Sequence, residues 1–434
     1  MQELLKTILY EWKERKLPQT IGREIDLKGY LCMVPSKIIV ITGFRRVGKT
    51  YLLFQLIKEF LQKKDREEIV YINFEDERIP PKTEILTTLL PVIKQTFQKF
   101  PEILFLDEIQ DIPNWSKWTR RIYDKEEIKI FITGSSSKMS AKEIPTEIRG
   151  RCLEIKVSPL SLKEFLKFKN MEIDFQRVRY SENQKARLVK ALNEYLFYGG
   201  MPEVVLTNQE KKLEILQQYY KTVVRKDIIE RFKIKNEEGL KALLLLLLNS
   251  TSYSFTKLYN TLKSLNYRIG KTTLLQYLSY IEDSYFAESV PIFSYKIKDH
   301  LQYPRKIYFV DNGFINALST KFSKDLGRLY ENLVFGELRR KSNFETEIFY
   351  WRGGNGKDVD FVIKESQKVK ELIQVCYDIE NYDTKKREIN SLIRASKELK
   401  CDNLIIINQS IEREEKFKGK KIKFTPLWKW LLAD

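Results

Sequence analysis

Residues 37–59 read KIIVITGFRRVGKTYLLFQLIKE. A β-branched apolar run, Ile38, Ile39, Val40 and Ile41, ends at Thr42-Gly43. The segment Gly43-Phe44-Arg45-Arg46-Val47-Gly48-Lys49-Thr50 follows, and then an amphipathic pattern of Leu52, Leu53, Leu56, Ile57 and Phe60. That order is strand, loop, helix. The spacing G-x-x-x-x-G-K-T has a mechanism: Gly43 and Gly48 allow a tight loop with inward-facing backbone N–H groups, and the helix N-terminus adds partial positive charge. Lys49 neutralises the β- and γ-phosphates, and the Thr50 hydroxyl ligates Mg²⁺. Gly43, Arg46, Gly48, Lys49, Thr50 and Tyr51 are therefore nucleotide-binding candidates. Upstream, Ile21, Arg23 and Leu27 stand where a segment can fold over a base, and Arg23 joins the set.

Downstream, three more apolar runs have the length of buried strands: 69–73 (IVYIN), 103–106 (ILFL) and 129–133 (KIFIT). The second runs into Asp107-Glu108. A buried strand must release its acids at its C-terminal end, where the phosphate loop also lies. Asp107 is thus a candidate for the Mg²⁺ shell and Glu108 for polarising the attacking water. Strand 129–133 ends in Gly134-Ser135-Ser136-Ser137, and Ser135 offers a hydroxyl to the γ-phosphate or the water. Arg149 and Arg151 precede a fifth strand, 153–157, a position from which an arginine can serve a neighbouring subunit's nucleotide.

The runs TGFRRVGKT, FLDEIQ, ITGSSS and GRCLEIKVSPLSLKEF resemble the archaeal and bacterial AAA+ ATPases of the STAND-related archaeal group. The match is close over the first half and extends to the C-terminus. The resemblance implies an α/β fold with a P-loop AAA+ core (1–157), a helical lid (158–225), a winged helix (226–320) and a restriction-endonuclease-like α/β domain (321–434). It implies ATP and Mg²⁺ as cofactors and a homo-oligomeric ring, hexameric in the family. In that group a Gly-x-Pro of the lid touches the nucleotide, and Gly200-Met201-Pro202 matches it, which adds Pro202 to the site. A plain helix–helix turn would look the same.

In the third segment, helical patterns at 240–248, 255–265 and 271–283 flank a short turn at 266–270. Leu274, Leu275, Leu278 and Ile281 form the expected inner face, leaving Lys271, Thr272 and Gln276 outward as in a recognition helix. The second Gly-Lys-Thr, at 270–272, is no phosphate loop: Leu265 stands where its first glycine should be. A β-rich stretch at 286–310, with Lys296, Lys298, Arg305 and Lys306, is the expected wing, and docking to protein is the other use of such a module. The last segment reads helix (327–340), strands (347–351, 359–363, 371–375), helix (384–399), strand (404–407). Active nucleases of the resembled type place Glu on the first helix, Asp on the second strand and Glu-x-Lys on the third. Glu331 and Asp360 match the first two, but the third reads Gln374-Val375-Cys376, without acid or lysine. Lys370 is the nearest cation that could move in.

The 434 residues carry 77 Lys and Arg against 59 Asp and Glu, a formal charge of +18. Such a surplus favours a polyanionic partner, and DNA is the one expected; the charged surface of a thermophile would also produce it. The four cysteines are scattered, which excludes a disulfide framework, and a single histidine excludes a His-rich zinc site. The longest apolar run, 242–248, is far short of a membrane span, and the N-terminal segment mixes acids with bases; a soluble cytoplasmic protein is the expectation. The function expected is a Mg²⁺-dependent ATPase coupled to nucleic-acid binding or remodelling. A nucleotide-state switch acting on protein partners is the alternative, and an ATP-dependent nuclease a further one.

Overall fold

The structure, a computed structural model, describes residues 1–25, 29, 36–134, 146–174, 177–319, 325–354 and 358–433. The chain divides into two units, Met1–Ser158 and Pro159–Asp434.

The first unit is a parallel α/β sheet. Helix α1 (Gln2–Glu14) precedes β1 (Ile38–Gly43), α2 (Lys49–Phe60), β2 (Ile69–Asn73), α3 (Thr83–Phe97), β3 (Ile103–Asp107), α4 (Trp115–Lys125), β4 (Lys129–Thr133) and β5 (Cys152–Val157). The sheet order is β2-β3-β4-β1-β5, every neighbour parallel. Because both faces are covered, β1 is buried at every position, which explains its unbroken aliphatic run. Phe105 and Phe131 stack with ring centroids 4.6 Å apart on adjacent strands. Helix α1 closes the far side by burying Leu5, Ile8, Leu9 and Trp12, and the Trp12 indole donates to the Ile69 carbonyl at 2.7 Å.

The second unit begins with α5 (Leu162–Phe168), whose Ser161 and Glu164 form a capping box, then α6 (Glu182–Tyr198), α7 (Pro202–Leu206) and α8 (Lys212–Thr222). Helix α8 continues without a break as the π-helical turn Val223–Glu230, across position 225. Next come α9 (Glu237–Leu248), β6 (Ser252–Tyr253), α10 (Phe255–Ser264), α11 (Lys271–Asp283), β7 (Ala287–Val290), α12 (Ile297–Gln302) and β8 (Arg305–Phe309). Their strands form an antiparallel sheet in the order β6-β8-β7. The segment expected to be a β wing is therefore broken by helix α12. Its start is paired away from solvent: the Phe293 N–H donates to the Tyr350 carbonyl at 2.6 Å, and the Tyr350 N–H to the Pro291 carbonyl at 3.1 Å.

The unit ends with α13 (Asn312–Leu318), α14 (Leu326–Lys341), β9 (Thr346–Arg352), β10 (Asp358–Glu365), β11 (Lys368–Val375), α15 (Tyr382–Leu399), β12 (Leu404–Asn408), β13 (Arg413–Phe417), β14 (Lys420–Pro426) and α16 (Leu427–Leu432). The six-stranded mixed sheet runs β13-β14-β12-β11-β10-β9. The helix–three strands–helix–strand order read from the sequence is present. The terminal hairpin and α16 are additions that the pattern did not announce, because β13 is REEKF, a charged edge strand. Lys418 and Gly419, both at positive φ, make its turn.

Candidate nucleotide site

In a parallel sheet every strand delivers its last residue to the same edge. Here that edge receives Gly43 from β1, Asp107 from β3 and Thr133 from β4. The order β3-β4-β1 puts β4 between the loop strand and the acidic strand, so Thr133 sits between them. Gly43, Arg46 and Gly48 have φ of 143°, 65° and 97°, backbone turns that aim successive N–H groups to one side of a loop. At Gly43 a Cβ would stand 2.3 Å from the Val157 carbonyl oxygen, so close packing of β1 on β5 demands glycine as firmly as the loop does.

Around this loop the side chains interlock. The Lys49 ammonium, 5% exposed, donates to the Gly43 and Phe44 carbonyls at 3.2 and 3.4 Å and lies 3.8 Å from Glu108 Oε1. Asp107 is the hub: its Oδ2 accepts from the Thr50 hydroxyl at 2.9 Å and the Tyr71 hydroxyl at 2.8 Å, and its Oδ1 accepts from the Thr133 hydroxyl. Thr133 in turn accepts the Glu108 N–H at 3.0 Å. Burial pushes the Asp107 carboxyl above its ordinary range, and the hydroxyl donors of Thr133 and Tyr71 oppose that shift. The Tyr71 phenol is pushed up by burial and by the charge of Asp107. Glu108 holds a left-handed backbone at φ 54° and accepts from the Gln110 amide at 2.8 Å.

The arrangement can neutralise phosphate charge at Lys49, cradle phosphate oxygens in the loop amides, and present the Thr50–Asp107 pair to a divalent cation. Two protein ligands suit Mg²⁺, which keeps waters and substrate phosphates in its shell. Among the described residues no cluster of three or more His, Cys, Asp or Glu could hold a metal ion unaided.

The remaining sequence candidates are placed as follows. Arg23 is buried beside the loop, its guanidinium donating to the Val47 and Ser158 carbonyls at 2.8 Å each, so it braces the loop from behind. Arg46 is exposed within the loop, and Tyr51, 55% exposed, lies on the first turn of α2. Ser135 lies outside the described residues. Arg149 and Arg151 are not brought to the loop: β1 and β5 pair Ile38 with Cys152 and Gly43 with Val157. They therefore stand at the opposite edge of the sheet, roughly 20 Å away by strand rise, and Arg151 pairs with Asp124 at 2.8 Å. Thr133 and Tyr71 escaped the sequence reading. Both lie inside strand patterns, and only the order of the strands directs them at Asp107.

In the second unit, Pro202 is the first residue of α7, and the preceding turn is held by Asp311. The Asp311 carboxylate accepts the Gly200 N–H at 2.6 Å and the Gly313 N–H at 2.8 Å. A Cβ on Gly199 would stand 1.6 Å from Asp311 Oδ1. Burial pushes this carboxyl up to about 6. Lys271, Thr272 and Gln276 are exposed on α11. Leu275, placed inward by the sequence pattern, is instead 56% exposed on the same face as Thr272 and Gln276, and Tyr277 fills the inner face in its place. Lys296 and Lys298 are exposed, but at the N-cap and in the first turn of α12 rather than on a β wing.

Glu331 on α14 and Asp360 on β10 do converge. The cation between them is Lys306 of β8, whose ammonium is 2.7 Å from Glu331 Oε1 and 2.7 Å from Asp360 Oδ1. Lys370 is elsewhere, paired with Glu365 at 2.6 Å on the surface.

An AAA domain matches residues 35–166, and two domains of unknown function, DUF8612 and DUF4143, match residues 189–325 and 326–430. An uncharacterized protein of Methanocaldococcus jannaschii is 42% identical over 441 residues, covering 99% of this chain and 95% of its own length. An uncharacterized protein of Haemophilus influenzae is 30% identical over 366 residues, covering 83% and 87%. Among solved structures, the Walker-type ATPase paby2304 of Pyrococcus abyssi is similar at a TM-score of 0.43 and 13% identity, covering 73% of this chain and 95% of that one. AMPPCP-bound DnaA from Aquifex aeolicus has a TM-score of 0.24 and 15% identity, covering 64% and 86%. No helix among the described residues is long and apolar enough to cross a membrane.

Proposed function

Because the chain belongs to the family of its uncharacterized Methanocaldococcus jannaschii relative and itself carries an AAA domain at residues 35–166, we propose that it is a Mg²⁺-dependent ATPase that couples hydrolysis to nucleic acid. The observation that carries the reading is the convergence of Lys49, Thr50, Asp107, Glu108 and Thr133 at one sheet edge. Thr50 and Asp107 would hold Mg²⁺, which would supply positive charge against the charge developing on the phosphate oxygens. Lys49 and the amides of the 43–48 loop bind and orient the triphosphate. Glu108 takes the proton of the attacking water, and Thr133 keeps both acids in register through its two hydrogen bonds. Pro202 is proposed as the lid's contact with the nucleotide, and Arg149 or Arg151 as the arginine serving a neighbouring subunit of a homo-oligomeric ring.

The region 226–320 is proposed as a winged helix. In its support, α9, β6, α10, α11, β7 and β8 follow one another with strand order β6-β8-β7, and α11 exposes Lys271, Thr272 and Gln276 for the major groove. The formal charge of +18 supplies attraction to phosphate. The test is an ATPase assay with and without single- and double-stranded DNA. Turnover is expected to rise with DNA, to lose that rise as salt increases, and to drop by roughly 10²–10⁴-fold in Glu108→Gln with ATP still bound. Turnover in Glu108→Gln equal to wild type defeats the ATPase reading. DNA-independent turnover in an active enzyme defeats the nucleic-acid coupling and favours a switch acting on protein partners.

A further inference from the structure

A restriction-endonuclease-like domain would hold a divalent metal between Glu331 and Asp360, and the residues present do not fit one. Lys306 Nζ lies 2.7 Å from an oxygen of each acid. Both acids are further engaged by protein donors: Glu331 Oε1 accepts the Tyr308 hydroxyl at 2.6 Å, and Asp360 Oδ2 accepts the Val375 N–H at 2.8 Å. The third position, Gln374, is turned to other work. Its carbonyl oxygen accepts the Asp360 N–H at 3.3 Å, and its amide donates to Glu388 at 2.8 Å. A hard divalent ion needs carboxylate oxygens free to face it, and here the facing oxygens, Glu331 Oε1 and Asp360 Oδ1, are taken by the Lys306 ammonium.

The ammonium itself is well held. It is enclosed by Glu331, Asp360 and the Tyr350 ring, whose centroid is 6.0 Å away, and only 12% of its side chain is exposed. Burial works against its charge, yet Asp360 and Glu331 outweigh that cost and raise its pKa above the ordinary lysine value. Removing either partner of such a group leaves a buried uncompensated charge.

We propose that Lys306 is the resident cation of this centre, standing between Glu331 and Asp360 in place of a divalent metal. The lysine comes from the β6-β8-β7 sheet and the acids from α14 and β10, so the ion cluster fastens that sheet to the C-terminal sheet. A centre filled in this way has no metal-activated water and carries out no metal-dependent phosphodiester cleavage. The inference is independent of the ATPase reading, because the chain is tested without nucleotide.

The experiment is a Mn²⁺ titration of the full nucleotide-free chain, read by electron paramagnetic resonance and thermal melting, on wild type, Asp360→Asn, Lys306→Met and Lys306→Met/Asp360→Asn. Wild type and Asp360→Asn are expected to bind Mn²⁺ alike. Lys306→Met, which keeps the stem but loses the charge, is expected to gain one bound Mn²⁺ that the double variant loses, and to melt several degrees higher with the ion than without. Mn²⁺ bound by wild type and lost in Asp360→Asn overturns the proposal, as does a folded Lys306→Met that gains no ion. Should Lys306→Met fold poorly, recovery of its folded signal on adding Mn²⁺ supports the proposal, and no recovery overturns it.

Discussion

Thr133 shows how much one hydroxyl can carry. It donates to Asp107 and accepts from the Glu108 N–H, so Thr133→Val keeps the shape and removes both bonds. A buried N–H left without an acceptor costs about 1–3 kcal/mol, and the two acids lose their common anchor. The expected outcome is turnover lower by roughly 10–100-fold with nucleotide affinity changed only a few-fold, recovered by Thr133→Ser. Single-turnover kinetics beside equilibrium nucleotide binding measures it. An equal loss in both would mean that the hydroxyl serves ground-state binding instead. Gly43 is the complementary case, where what matters is the absence of a side chain: its φ and its approach to Val157 leave no room for a Cβ.

Among elements, the turn between α6 and α7 depends on the N-terminus of α13, because the Asp311 carboxylate caps Gly313 and also accepts from Gly200. Burial sets the sign of its pH dependence. A folded pKa of about 6 against an ordinary value of 3.8 means that the folded state binds the proton more tightly. Its contribution is then complete below pH 3.8 and is lost as pH rises through about 6, a fall of roughly 3 kcal/mol. Asp311→Asn should flatten this part of the stability–pH curve while lowering stability, since the amide presents an N–H to one of the two glycine donors. Urea melts from pH 4 to 7 check it; an unchanged slope would show that the carboxyl does not titrate in that window. The same scale explains why α12 was not foreseen: IKDHLQ is too short for a helical period to show among the alternating residues around it.

For the whole molecule the consequential prediction is assembly. The register of β5 on β1 leaves Arg149 and Arg151 a strand's length from their own phosphate loop, and the proposed ring gives them a neighbouring subunit's nucleotide to serve. Arg151→Ala mixed into wild type is therefore expected to depress activity by more than its share of subunits, and specific activity to rise with protein concentration. Sedimentation as a monomer with ATP, together with proportional loss in the mixture, would defeat the ring. Local pattern was sufficient for the phosphate loop, the acidic strand end and the strand-and-helix order of the C-terminal domain. Each of these is written in consecutive residues, by side-chain period, by glycine, or by acids after an apolar run. Partners across the sheet were not legible. Placing β4 between β1 and β3, and β2 on the other side of β3, is a choice of strand order that no strand encodes alone; the first brings Thr133 to Asp107 and the second brings Tyr71. Lys306 lies 25 residues before Glu331 and 54 before Asp360. Lys306 and Lys370 are equally charged in sequence, and only burial beside two converging carboxylates selected Lys306: a buried charge must find its counter-charge wherever the fold brings one.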